Sequence, residues 1–76
     1  PTLEDVVDMI LRHARMQIEF SGEYLGIRQM RKHVAWYTTG YPGSSKLRGM
    51  VNRVESMAEL EDLLGQYAER GRKFMR

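Results

Sequence analysis

From Glu23 to Gly43 the chain reads Glu-Tyr-Leu-Gly-Ile-Arg-Gln-Met-Arg-Lys-His-Val-Ala-Trp-Tyr-Thr-Thr-Gly-Tyr-Pro-Gly, and this stretch decides the fold. Its apolar positions recur every three or four residues, which predicts a helix from Glu23 to Thr39. Gly40 and the following Tyr-Pro-Gly end it, because a helix does not cross such a turn intact. With successive residues about 100° apart, Ile27, Met30, Val34 and Tyr37 gather on one side, and His33 and Trp36 widen that apolar arc. Arg28, Arg31, Lys32, Ala35 and Thr39 share the other side, with no carboxylate among them. One helix of this length is marginal in water, so its apolar side needs partners.

The partners lie on either side in sequence. Thr2 followed by Asp5 has the spacing of a helix start. Leu3, Val6, Val7, Ile10, Ala14 and Ile18 then form one apolar face, while Glu4, Asp8, Arg12, Arg15 and Glu19 face water. Asp8 with Arg12, and Arg15 with Glu19, are spaced for i,i+4 ion pairs. Ser21-Gly22 ends this helix. Beyond the turn, Ser44 or Ser45 caps a short third helix with Leu47, Met50, Val51 and Val54 as its apolar stripe. Ser56 with Glu59 is a capping box for a fourth, which buries Leu60, Leu63, Leu64 and Tyr67. The tail after Gly71 is expected to fray. No stretch alternates with period two for long enough to make a strand. The expected fold is therefore all-α, a small antiparallel four-helix bundle formed by one domain spanning residues 1–76.

Composition narrows the function classes. There is no cysteine, hence no disulfide framework and no thiolate metal site, which suits a reducing cytoplasm. No apolar run approaches the roughly 20 residues that cross a bilayer, and the acidic start Pro1-Thr2-Leu3-Glu4-Asp5 is unlike a signal peptide. His13 and His33 stand on different helices without a companion carboxylate motif, so no metal site is expected.

The net charge of +2 hides an asymmetry. Tyr24 to Val54 contains no acid and carries Arg28, Arg31, Lys32, Lys46, Arg48 and Arg53, giving +6. The flanks hold 6 basic and 10 acidic residues, giving −4. Two readings stand side by side: one face turned toward a polyanion, or a set of solvated helix faces. Like charges at i,i+4, as in Arg28 and Lys32, cost a few tenths of a kcal/mol in an isolated helix, and a row of phosphates reverses that cost. Gly43-Ser44-Ser45-Lys46 suits either ordinary capping or a phosphate at a helix start. Trp36 sits at the margin of the apolar arc, which assigns it to the core or to a domain contact ahead of stacking on an unpaired base. His33 reads as a packed, hydrogen-bonded histidine. Gly49 weakens the third helix by about 1 kcal/mol relative to alanine and permits close approach by a helix or by RNA.

The run Gly26-Ile27-Arg28-Gln29-Met30-Arg31-Lys32-His33-Val34-Ala35-Trp36-Tyr37 resembles a signature of the bacterial tRNA-dihydrouridine synthases. Gly40-Tyr41-Pro42-Gly43, Lys46-Leu47-Arg48 and Val51-Asn52-Arg53-Val54-Glu55 follow at the family's spacing, and the B-type branch is the most similar. The resemblance runs from Pro1 to about Tyr67; Ser44-Ser45 departs from it where many relatives carry small alanines. It implies a C-terminal helical tRNA-binding domain preceded by a TIM barrel. That barrel would hold FMN, accept electrons from NADPH and reduce a tRNA uridine to 5,6-dihydrouridine, with a barrel cysteine as general acid. This chain would then bind no cofactor and carry no catalytic residue. It also implies tRNA contacts at Arg28, Arg31 and Lys32, and by extension at His33, Lys46, Arg48 and Arg53. The partners implied are tRNA and the flavin barrel, with no membrane and a monomeric state.

Two other classes fit the residues alone. One is a protein-interaction bundle docking its basic face on an acidic partner. The other is a helix-turn-helix DNA binder, whose recognition helix would expose Lys46, Arg48, Gly49, Asn52 and Arg53.

Overall fold

Thr2 opens the first helix as its spacing to Asp5 predicts. The Asp5 N–H donates to Thr2 Oγ1 at 3.1 Å, and the Thr2 N–H donates to the Asp5 carboxylate at 3.2 Å. The computed structural model describes residues 2–74, with side chains as far as residue 71. In chain order α1 spans Leu3–Thr38, α2 spans Ser44–Val51 and α3 spans Met57–Phe74, with no strand among the described residues. The chain is thus all-helical, with three helices where four were expected. The fraying expected after Gly71 gives way to helix as far as Phe74; the rest of that tail lies outside the described residues.

The difference in helix count is located at Gly22. Its backbone sits at φ 83°, ψ 161°, a conformation essentially reserved for glycine, inside the span of α1. A straight helix of 36 residues would be about 54 Å long, yet the longest dimension of the molecule is 38 Å. The chain therefore doubles back at Gly22, and α1 consists of an N-arm (residues 3–21) and a C-arm (residues 23–38) packed against each other. A Cβ on Gly26 would lie 2.9 Å from the Ile18 Cα, so the absence of a side chain there lets the two backbones touch. Further along, the Gln17 side chain donates to that of Gln29, and His13 Nδ1 and the Tyr37 hydroxyl are 3.3 Å apart.

The core takes one face from each element. Val6, Val7, Ile10 and Ala14 of the N-arm meet Ile27, Met30 and Val34 of the C-arm. Leu47 and Val51 of α2, Val54, and Leu60 and Leu64 of α3 close it. The i,i+4 ion pairs expected along the N-arm are absent among the described residues; Arg15 instead reaches α3 and pairs with Glu61 at 3.1 Å. Two expectations for α2 also change. Its N-cap is Gly43, at φ 78° and ψ 5°, without a side-chain cap, so neither serine fills that role. Met50 is 40% exposed at the rim of a groove rather than in the core, since α3 covers only one flank of so short a helix. Ser56 and Glu59 do cap α3: the Glu59 N–H donates to Ser56 Oγ at 3.1 Å.

Candidate nucleic-acid interface

The C-arm carries its cations past the connection between α2 and α3, and three side chains staple the two together. Glu23 Oε2 accepts from the Met57 N–H at 2.9 Å, placing a carboxylate where an exposed helix N-terminus favours one. Arg31 donates through Nε at 3.1 Å and Nη2 at 2.6 Å to the Val54 carbonyl. Arg28 lies 3.6 Å above the Tyr24 ring, donates to the Tyr24 carbonyl at 3.0 Å, and reaches Glu55 at 3.8 Å. The two acids that bound the acid-free stretch thus each reach across the fold, Glu55 to Arg28 and Glu23 to the first residue of α3.

The basic residues consequently fall into two kinds. Arg31 is half-buried and bonded to a carbonyl, which satisfies donors without neutralising charge. A guanidinium has five N–H donors, so three of Arg31's remain. Arg28 is half-buried too, but its ion pair is long and Glu55 is 70% exposed, so solvent screens it. Lys32, Arg48 and Arg53 are exposed and make no ion pair or side-chain hydrogen bond among the described residues. Lys32 lies one turn beyond Arg28 on the same face of the C-arm, and Arg53 stands next to Val54 in the stapled connection.

Lys46 is set apart. On α2 it lies about 160° around the helix from Arg48, and it lines an open groove of about 510 Å³ between α2 and α3 together with Leu47, Met50, Leu63, Tyr67 and Arg70. Gly49 is exposed, and a Cβ there would meet nothing within 4 Å, so no other element among the described residues approaches it.

Of the two roles expected of Trp36, core or domain contact, the structure excludes the core: the residue is 71% exposed, because the N-arm covers the Tyr37 edge of the apolar arc and leaves the Trp36 edge open. His33 is exposed as well, and the hydrogen-bonded histidine is His13. The two rings lie 4.7 Å apart at 48°, and no group of three metal-ligating side chains exists among the described residues. The stapling by Glu23 and Glu55 was missed in the sequence. The pattern offers no signal for it, since these contacts span 27 or more residues.

The dihydrouridine synthase (Dus) family model matches residues 1–71. Among similar proteins, a probable tRNA-dihydrouridine synthase of Mycobacterium leprae is 39% identical over 66 residues, 87% of this chain and 17% of that protein. One of Mycobacterium tuberculosis (strain H37Rv) is 44% identical over 64 residues, 84% of this chain and 16% of that protein. The tRNA-dihydrouridine synthase B of Vibrio vulnificus is 39% identical over 66 residues, 86% of this chain and 20% of that protein. No solved structure matches. The chain spans about a fifth or less of the length of these relatives. With a match over nearly its whole length, carried through the basic C-arm, the turn and α2, the chain belongs to the dihydrouridine synthase family.

Proposed function

We propose that this chain is the tRNA-binding module of an FMN-dependent tRNA-dihydrouridine synthase, holding tRNA so that the larger remainder of the enzyme can reduce a uridine. The observation that carries the reading is the division of the basic face: Arg31 and Arg28 fix the α2–α3 connection, while Lys32, Arg48 and Arg53 stay exposed around it. Phosphates are the natural partners of cations left in that state, and each contact made releases condensed counterions. Arg31 adds its charge and three remaining donors, Arg28 can exchange its long ion pair for a phosphate, and His33 lies one residue beyond Lys32. Lys46, on the far flank of α2, serves a different stretch of backbone or the groove. In this reading the two arms of α1, with α2 and α3, act as a four-rod bundle that presents one basic side.

Chemistry belongs to the remainder of the enzyme. Nothing among the described residues fits a flavin: no strand ends or glycine-rich loop can seat its phosphate, and the α2–α3 groove is lined mostly by hydrocarbon. The Tyr67 hydroxyl beside that groove is committed to the Pro42 carbonyl at 3.0 Å.

The test is a titration of a tRNA transcript with the chain at several salt concentrations, with heparin as competitor. Replacing Lys32, Arg48 and Arg53 together by glutamine should weaken binding and flatten the salt dependence by about one logarithmic unit per lost contact. Affinity and slope unchanged in the triple variant would show that this face does not bind RNA. A protein-interaction module is the second reading, favoured by the exposed Met16, Phe20, Tyr24 and Leu25 around the Gly22 bend. Heparin matching tRNA on equal terms would mean that the basic face reads charge and not the shape of RNA.

A further inference from the structure

Trp36 is the one tryptophan of the chain, and the fold makes little use of it. Ile27, Met30, Val34 and Thr38 fill the buried side of the C-arm, leaving the indole 71% exposed. Only one flank is held: the ring meets Tyr37 edge-on, with centroids 5.6 Å apart and planes at 68°. Tyr37 is half-buried and tied to His13 of the N-arm through its hydroxyl, so the contact is a firm one. One turn before Trp36 on the same outer side stands Lys32, exposed and without an ion pair among the described residues. Of the other large exposed apolar residues of α1, Met16, Phe20, Tyr24 and Leu25 cluster around the Gly22 bend, with Leu25 about 16 Å from Trp36 along the helix, and Met9, 45% exposed, stands on the N-arm. Trp36 therefore lies apart from the apolar cluster at the bend, which is the kind of patch that docks proteins. It is a flat ring beside a cation.

We propose that Trp36 stacks on an unpaired base of the bound RNA while Lys32 takes a phosphate of the same stretch. This inference rests on the RNA-binding reading. Every base has a π face, so a ring of this kind grips single-stranded or looped nucleotides with little regard to sequence, and a fully paired helix offers it nothing. Stacking is also not an ionic contact. Its loss should lower affinity without altering the salt slope, whereas loss of Lys32 alters that slope.

The single tryptophan supplies a direct readout. Binding of an unmodified tRNA transcript should quench its fluorescence, and a fully paired RNA duplex should not. By anisotropy of labelled tRNA, Trp36→Ala should lower affinity about 5- to 100-fold at an unchanged salt slope, and Trp36→Phe should recover most of it. Lys32→Gln should lower affinity and reduce the slope by about one. The exposed position makes the variants foldable, which a thermal melt checks. Binding with unquenched fluorescence, quenching by duplex as strong as by tRNA, or a Trp36→Ala affinity equal to the parent's would each overturn the stacking role while the RNA reading stands. In that case a protein surface becomes the better partner for Trp36. Absence of any tRNA binding at low salt would overturn both.

Discussion

Arg31 belongs to the acid-free stretch and to the family signature, yet its guanidinium grips the Val54 carbonyl through two donors. Replacing it with methionine keeps a stem of similar length for packing and removes every donor. A hydrogen bond from a charged donor contributes about 1.5–3 kcal/mol, and because these two share one oxygen they do not add, so the expected loss is about 2 kcal/mol. For a domain of this size that lowers the melting temperature by roughly 8–16 °C. Arg31→Lys keeps the charge and one hydrogen bond to the carbonyl and should lose about half as much. Urea titration followed by far-UV circular dichroism gives the stabilities. tRNA affinity is then measured at a temperature where all variants are folded. Arg31→Lys should retain near-parental affinity, because the charge survives. If Arg31→Met is as stable as the parent, within about 0.5 kcal/mol, the anchoring argument is wrong and Arg31 serves binding alone.

Two further outcomes test the fold. Gly22→Ala meets no neighbouring atom within 4 Å, so its cost is backbone strain alone, about 1–3 kcal/mol, read as a lower urea midpoint; an unchanged midpoint would mean that the bend lies elsewhere. Burial raises the Tyr67 phenol above its ordinary 10.0, with Tyr41 adding to the rise. The fold therefore favours the neutral phenol, and that stability is complete below pH 10 and is lost as pH climbs through the raised value. Tyr67→Phe should cost about 1 kcal/mol at neutral pH through the bond to Pro42, and should decline less than the parent above pH 10; equal alkaline declines would refute the assignment.

What the sequence revealed and what it hid divide along the range of the interactions. The Thr2–Asp5 cap and the Ser56–Glu59 cap are contacts over three residues, and both were legible from spacing. So were the core positions Ile10, Val34 and Leu64, since a helical stripe must face something apolar. Gly22 was legible as the break between two antiparallel helices, but not as a single residue across which one helical run continues. At Gly43 a positive φ let the turn itself start α2, and the adjoining serines carried no sign that they were not needed. Trp36 and Tyr37 are neighbours on the rim of one arc, yet the close approach of Gly26 to Ile18 sets the N-arm over the Tyr37 side. Periodicity finds the centre of a buried stripe and leaves its edges undecided, because another element settles them. Of the basic residues, the sequence supplied the cluster; only the structure separates Arg31, held across 23 positions, from Lys32 beside it.

That separation gives the cationic stretch a physical logic. An Arg paired with a buried carboxylate would be neutralised, whereas Arg31 bonded to a carbonyl keeps its full charge at a fixed place. It also pins the connection that carries Arg53, so that the flexible cation is presented from a rigid backbone. The entropy of ordering that connection is lost on folding, so that in the proposed RNA-binding role more of each phosphate contact would be left as affinity. Glu23 and Glu55 contribute without cancelling the field: one lies at the α3 N-terminus, where backbone N–H groups draw on its charge, and the other sits 3.8 Å from Arg28 in contact with water. Near the pinned connection Arg31 is bonded to a neutral oxygen, Arg28 holds a long, solvent-screened pair with Glu55, and Arg53 is left open, the state that the proposed phosphate partner would complete.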